Sequence, residues 1–67
     1  MKVKTLLSTL RLTNYILQDA EGHTLDSDFV LDKYTGESAL YDGWRVVKAV
    51  CRNDSHGAPY MYITIRQ

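Results

Sequence analysis

The chain has 67 residues, eight basic and eight acidic side chains, and one cysteine, Cys51. A chain of this length forms one domain, 1–67, and buries only about 60% of the surface that its unfolded form exposes. A lone cysteine excludes an intrachain disulfide and favours a reducing compartment. We expect Cys51 to be a small buried hydrophobe, and we expect self-association or a partner to supply stability that disulfides would otherwise provide.

The N-terminal segment has the hydrophobic spacing of an amphipathic helix. Apolar side chains recur at positions i, i+3, i+4 and i+7, namely Val3, Leu6, Leu7 and Leu10. Thr5 is a weak candidate for the N-cap, and Asn14 suits a left-handed residue that ends the helix. A helix of about two to three turns is unstable alone in water, so we expect its leucine stripe to lie on a sheet.

A β-hairpin is predicted next. Thr13–Asp19 is rich in β-forming residues, and the following Asp19–Gly22 suits a type I turn in which the glycine takes a positive φ. His23–Asp26 would then return as a short, polar strand.

Residues 27–36 are compatible with two structures. They could continue the strand, with Phe29 and Leu31 facing the core. They could also form one or two helical turns with Ser27 as the N-cap, and this is the structure that we favour. A loop over residues 36–43 would follow.

Two β-rich runs end the chain, Trp44–Asn53 and Tyr60–Arg66, with turn-forming residues between them. The first run is apolar on both faces, which is typical of a central strand that is covered on two sides. The second run alternates, and its apolar face consists of Met61, Ile63 and Ile65. If the helix covers that face, Tyr60 and Tyr62 on the other face are left for another chain.

This order of elements predicts an α+β fold. We expect a small antiparallel sheet of about four strands, with the N-terminal amphipathic helix on one face and a short second helix. No apolar run has the length of a signal peptide or of a membrane span, so we expect a cytoplasmic protein that does not enter a membrane.

Charge is distributed unevenly along the chain. Residues 19–42 contain seven acidic residues and one basic residue, a net charge of −6, while the two ends are basic. A solvated surface whose charges are neutralised within the fold would explain this acidic block, and so would a patch that binds a basic partner. We assign partner binding to four acidic residues and two tyrosines: Asp26, Asp28, Asp32, Glu37, Tyr60 and Tyr62.

Enzymatic chemistry has little support in the sequence. The spacing of Cys51 and His56 is no recognised zinc motif, the glycines are isolated, and no catalytic constellation is visible. We therefore predict a non-enzyme with no metal and no cofactor. His56 is interpreted as a turn residue and His23 as a hairpin residue.

Protein association fits the composition best. The chain has five tyrosines and one tryptophan, more than one small core can hide, and both residue types anchor interfaces. A homodimer that holds a nucleotide or metabolite at its interface is the first alternative. Binding of nucleic acid through Tyr60, Tyr62 and Arg66 is the second, and the zero net charge disfavours it.

Four features of the chain together resemble many short uncharacterised proteins of bacteriophages and prophages. They are the opening Met-Lys-Val-Lys-Thr-Leu-Leu, the hairpin with its acid-Gly turn, the Val-Val-Lys-Ala-Val run and the terminal Tyr-Ile-Thr-Ile. The resemblance spans nearly the whole chain, and its motifs are structural. It implies a phage accessory protein. Such proteins include inhibitors of host defence, among them anti-CRISPR proteins that occupy a surface of a host nuclease. Several of these present acidic surfaces to nucleic-acid-binding grooves, a role that would suit the acidic block.

Overall fold

A computed structural model describes residues 1–36 and 39–67 of the chain. It confirms an α+β fold with an N-terminal helix and four strands. The elements are, in chain order, α1 (Val3–Leu7), β1 (Thr13–Gln18), β2 (Thr24–Val30), a 3₁₀ turn (Ala39–Tyr41), β3 (Arg45–Asn53) and β4 (Pro59–Arg66).

The four strands form one sheet in the order β2-β1-β4-β3. The hairpins β1–β2 and β3–β4 are antiparallel as predicted, but β1 and β4 are parallel, so the sheet is mixed. Parallel pairing needs a long crossover, usually of a dozen or more residues, and residues 31–44 between β2 and β3 provide one. The crossover contains the 3₁₀ turn Ala39–Tyr41, which lies in the stretch predicted as a loop, residues 36–43.

The core lies on one face of the sheet, beneath α1. Its buried side chains are Val3, Leu7, Tyr15, Leu17, Val30, Ile63 and Ile65. The helix is anchored by its own backbone, because the N–H groups of Val3 and Lys4 donate to the carbonyl oxygens of Trp44 and Asp42 at 2.9 and 3.2 Å. The prediction that the helix covers the Ile63/Ile65 face is confirmed, and Met61 is half-buried at its margin.

Helix α1 is shorter than predicted, and neither of its expected ends is right. Lys2 occupies the N-cap position without a side-chain hydrogen bond, so Thr5 is not the cap. The hydroxyls of Ser8 and Thr9 donate to backbone carbonyls of the helix, which offers the chain an alternative to further helical turns. The left-handed residue is Leu12, with φ 55°, whereas Asn14 lies within β1.

The helix favoured for residues 27–36 is wrong, because β2 continues to Val30. Ser27 pairs with Ile16 and Phe29 pairs with Asn14, and this backbone ladder outweighs the local capping signal. The strand alternative is also wrong about which side chains face the core. Phe29 and Leu31 are 44% and 67% exposed, and Val30 is the buried residue.

Strand β3 is an edge strand, not the covered central strand that its composition predicts. Cys51 is exposed rather than buried, and Val47 is 58% exposed. The reason is geometric: a five-residue helix that anchors near the start of β3 cannot cover the rest of a nine-residue strand.

Candidate protein-binding surface

None of the described residues covers the second face of the sheet. Strand pairing sets Ile16, Tyr62 and Val50 side by side across β1, β4 and β3 on this face. We name the whole set the open face, and it consists of Asn14, Ile16, Gln18, Ser27, Phe29, Lys48, Val50, Arg52, Tyr60, Tyr62 and Thr64.

Tyr60 and Tyr62 form the centre of the open face. Their ring centroids are 5.1 Å apart at an interplanar angle of 74°, an edge-to-face arrangement that is favourable for aromatic rings. The guanidinium carbon of Arg52 lies 6.0 Å from the centroid of the Tyr62 ring, within cation–π range. The hydrogen bond with Tyr62, together with partial desolvation, raises the pKa of Tyr60 above its ordinary value. Tyr60 is therefore neutral at physiological pH, and the pair combines large apolar rings with polar tips.

Two shallow depressions meet at this tyrosine pair. One, of about 500 Å³, is lined by Phe29 and by the acidic residues Asp28 and Asp54. The other, of about 560 Å³, is lined by Lys48 and Arg52. The open face is thus aromatic at its centre and basic on the β3 side, and Asp28 and Asp54 border the depression at its other side.

The two edges of the sheet carry opposite charges. β2 contributes Asp26 and Asp28, whereas β3 contributes Arg45, Lys48 and Arg52. The strand order separates these two sets by the width of β1 and β4, so part of the acidic block lies at one edge of the folded sheet.

The predicted acidic residues are placed differently from one another. Asp28 is exposed, and its carboxylate accepts the backbone N–H of Phe29 at 2.8 Å. Asp26 is half-buried opposite Leu17. Asp32 lies outside the open face, and Glu37 lies outside the described residues. Asp28 borders the depression at Tyr60 and Tyr62, although its pairing with Tyr15 places it on the covered face of the sheet.

Other acidic side chains support turns. One carboxylate oxygen of Asp54 accepts the backbone N–H groups of His56 and Ala58 at 2.8 and 2.9 Å, which orders the β3–β4 loop. Asp42 accepts the Tyr34 hydroxyl at 2.7 Å and holds the crossover. At least one member of the acidic block, Asp42, therefore has a structural role.

Asp19, Glu21 and His23 form the one cluster of described residues whose ligand atoms could converge on a metal ion, all within 4.8 Å of one another. The imidazole Nδ1 of His23 lies 3.2 Å from an Asp19 carboxylate oxygen and 3.6 Å from one of Glu21. The other Asp19 oxygen accepts the backbone N–H groups of Glu21 and His23, and the bond from His23 lowers the pKa of Asp19. These bonds stabilise the exposed β1–β2 turn. They explain why the three side chains lie close together without a metal ion.

Sequence reasoning missed most of the open face. Phe29 faces the core in the strand alternative for residues 27–36, and no prediction separates Ile16 and Val50 from the core. The signal that could have found Ile16 is the alternation in β1, where Tyr15 and Leu17 are buried while Asn14, Ile16 and Gln18 share the other face. An isolated strand does not show which of its two faces will be covered.

Among the described residues, no helix has the length and apolar character needed to cross a membrane. Comparison of the chain with protein-family models, with curated proteins and with solved structures gives no match in any of the three.

Proposed function

We propose that the chain is a non-enzymatic protein-binding module that uses the open face and the adjoining β2 edge to bind a basic surface of another protein. The observation that carries this proposal is a four-stranded sheet with one face covered by α1 and the other presenting the tyrosine pair. Tyrosine is enriched at interface centres, because it buries a large rigid ring at low entropic cost.

The acidic residues at the depression that contains Phe29 favour a basic protein as the partner there. Asp28 and Asp54 line the same depression as Tyr60 and Tyr62, and they would repel the phosphates of a nucleic acid. The same carboxylates would attract lysine and arginine side chains, and they would raise the association rate with a basic surface.

The more specific form of the proposal is inhibition of a host defence protein, such as a CRISPR nuclease, in the cytoplasm of the host cell. The basic groove through which such a nuclease holds nucleic acid is the kind of surface that an acidic sheet edge complements. This form rests on the resemblance to phage proteins and on the position of the acidic residues along β2.

Titration of the chain into a target-cleavage reaction of a purified CRISPR nuclease tests the proposal directly. Inhibition should be lost in the double variant Tyr60→Ala/Tyr62→Ala and weakened in Asp28→Asn, which changes only an exposed side chain. Leu40→Ala is the matched control, because Leu40 is 78% exposed on the 3₁₀ turn, away from the open face. Full inhibition by the tyrosine double variant would refute the open-face proposal, and no inhibition by the parent chain would refute the nuclease as its target.

A homodimer with a small ligand at its interface is a second candidate. The two depressions on the open face favour it, because volumes of about 500 Å³ fall within the range of small-molecule sites and a second copy would enclose them. Native mass spectrometry of the chain purified from its natural host distinguishes the candidates. A dimer that carries a ligand of defined mass supports this one, whereas a monomer without a ligand contradicts it.

Direct binding of single-stranded nucleic acid is a third candidate, since Tyr60, Tyr62 and Arg52 together could stack bases. Fluorescence anisotropy with labelled single-stranded oligonucleotides tests it. Saturable binding that weakens with salt and with Tyr62→Ala would support this candidate and contradict the protein-binding proposal for the open face.

A further inference from the structure

The outer side of β3 is open along most of the strand. Near its start, Lys2 forms a bridge with Arg45, and the backbone N–H of Val46 donates to the carbonyl of Met1 at 2.8 Å. Within the described part of the chain, no segment pairs with this side over residues 47–53. This stretch therefore presents a row of main-chain donors and acceptors that a further strand could satisfy.

The side chains of residues 47–53 indicate what kind of strand would fit. Lys48 and Arg52 project on the open-face side, opposite Thr64 and Tyr60, and neither has an ion-pair partner among the described residues. On the helix side, Ala49 and Cys51 are exposed although they lie opposite the buried Ile63 and the half-buried Met61. An added strand would thus meet positive charge on one face and small apolar side chains on the other.

We propose that residues 47–53 are a strand-addition site for an extended, acidic segment of a partner protein. Acidic side chains on one face of that segment would lie beside Lys48 and Arg52, where opposite charges across strands are favourable. Apolar side chains on its other face would cover Ala49 and Cys51. Main-chain hydrogen bonds would supply the sequence-independent part of the affinity, as in other complexes in which a peptide extends a sheet.

The same charges argue against a second copy of the chain as the occupant. In the antiparallel pairing of two β3 strands centred on Val50, Lys48 of one copy faces Arg52 of the other. Like charges directly opposite each other are unfavourable, and charged residues on edge strands are a known means of preventing self-pairing. The inference concerns the main-chain edge of β3, so it goes beyond the proposed function, although Lys48 and Arg52 also belong to the open face.

Binding of a labelled seven-residue peptide of alternating valine and glutamate, followed by fluorescence anisotropy, tests the site. This peptide should bind at least about fivefold more tightly than its valine–lysine counterpart, and added salt should reduce the difference. Lys48→Glu should weaken binding of the glutamate peptide by about fivefold or more. Lys33→Glu makes the same charge change beyond β2, at the opposite edge, and should leave binding unchanged.

Two N-methylated glutamate peptides separate strand addition from simple charge attraction. One carries methyl groups on the valine nitrogens and the other on the glutamate nitrogens. Because alternate N–H groups of a strand point to opposite edges, only one of the two should lose binding. Equal binding by both would overturn the proposal, as would equal affinity for the glutamate and lysine peptides. A dimer of the chain alone with exchange-protected amides at residues 47–53 would show that a second copy occupies the edge, and it too would overturn the proposal.

Discussion

Arg11 and Asp32 form an ion pair, with Arg11 Nη2 2.9 Å from Asp32 Oδ1, that joins the segment after α1 to the segment after β2. Beside it, the backbone N–H of Leu12 donates to the carbonyl of Leu31 at 3.2 Å. Asp32 therefore has a counter-charge from a distant part of the sequence, although Lys33 is the only basic residue within the acidic block.

This ion pair should contribute little to stability. The two side chains are 74% and 77% exposed, so solvent screens their attraction and the pair must also be ordered to form. A double-mutant cycle of Arg11→Ala and Asp32→Asn, measured by denaturant unfolding, should give a coupling of about 0–1 kcal/mol that fades in high salt. A salt-insensitive coupling well above that range would show that the pair is a structural clamp.

The three aspartates assigned to partner binding should affect association more than folding. Changing Asp26, Asp28 and Asp32 together to Asn should leave the melting curve nearly intact, while association with a basic partner slows and loses salt dependence. Because Asp28 is the one that lines the tyrosine depression, Asp28→Asn alone should reproduce most of the effect, with Asp32→Asn as its control. Association rates measured by stopped flow at several salt concentrations provide the check. A large loss of stability with unchanged association would mean that the carboxylates serve the fold instead.

Replacing Ile63 with Ala should destabilise the fold severely. Ile63 is fully buried in the central strand β4, so the change removes packed methyl groups and leaves a cavity, at a cost of about 2–5 kcal/mol. The total stability of a domain this small is only about 5 kcal/mol, so much of the variant should be unfolded. Val47→Ala is the control, since Val47 is 58% exposed and the change should shift stability by no more than about 0.5 kcal/mol. Equal thermal melts for the two variants would contradict the placement of the core.

Leu12→Asn should stabilise the chain. Leu12 has φ 55°, a left-handed conformation that costs most residues about 1–2 kcal/mol and that Asn tolerates better. The leucine side chain is 64% exposed, so little burial is lost. We expect a gain of up to about 1 kcal/mol in denaturant unfolding. Leu31→Asn, which changes a similarly exposed leucine without a positive φ, should bring no comparable gain.

Asp19 should make the free energy of unfolding depend on pH in the acidic range. Its pKa is lowered, first by the backbone N–H of His23, from an ordinary value of 3.8. At a pH between the pKa of Asp19 in the folded chain and its pKa in the unfolded chain, the unfolded chain binds more protons. The stabilisation by Asp19 is therefore present above pH 3.8 and is lost as pH falls through the folded-state pKa. Thermal melts from pH 6 to pH 2 should therefore fall less steeply for Asp19→Asn than for the parent. A steeper fall in the variant would mean that the pKa of Asp19 is raised, not lowered, in the folded chain.

The sequence determined those features that depend on neighbours along the chain. Alternation of Ile63 and Ile65 with Tyr62 and Thr64 identified the buried face of β4, because a strand directs successive side chains to opposite faces. The spacing of Val3 and Leu7 identified the buried stripe of the helix, because residues four apart lie on the same face of a helix. The turn at Asp19–Gly22 followed from a carboxylate and a glycine placed where a tight turn needs them; Gly22 has φ 87°.

The tertiary structure alone decided which strands are central and therefore which surfaces stay open. The composition of β3 suits a covered strand, yet the parallel pairing of β1 with β4 leaves β3 at an edge and Cys51 exposed. That pairing depends on the crossover of residues 31–44, and Ser27 belongs to β2 because its backbone pairs with Ile16. Pairing joins residues far apart in sequence, so its free energy is a property of the assembled sheet, which no local pattern of residues contains.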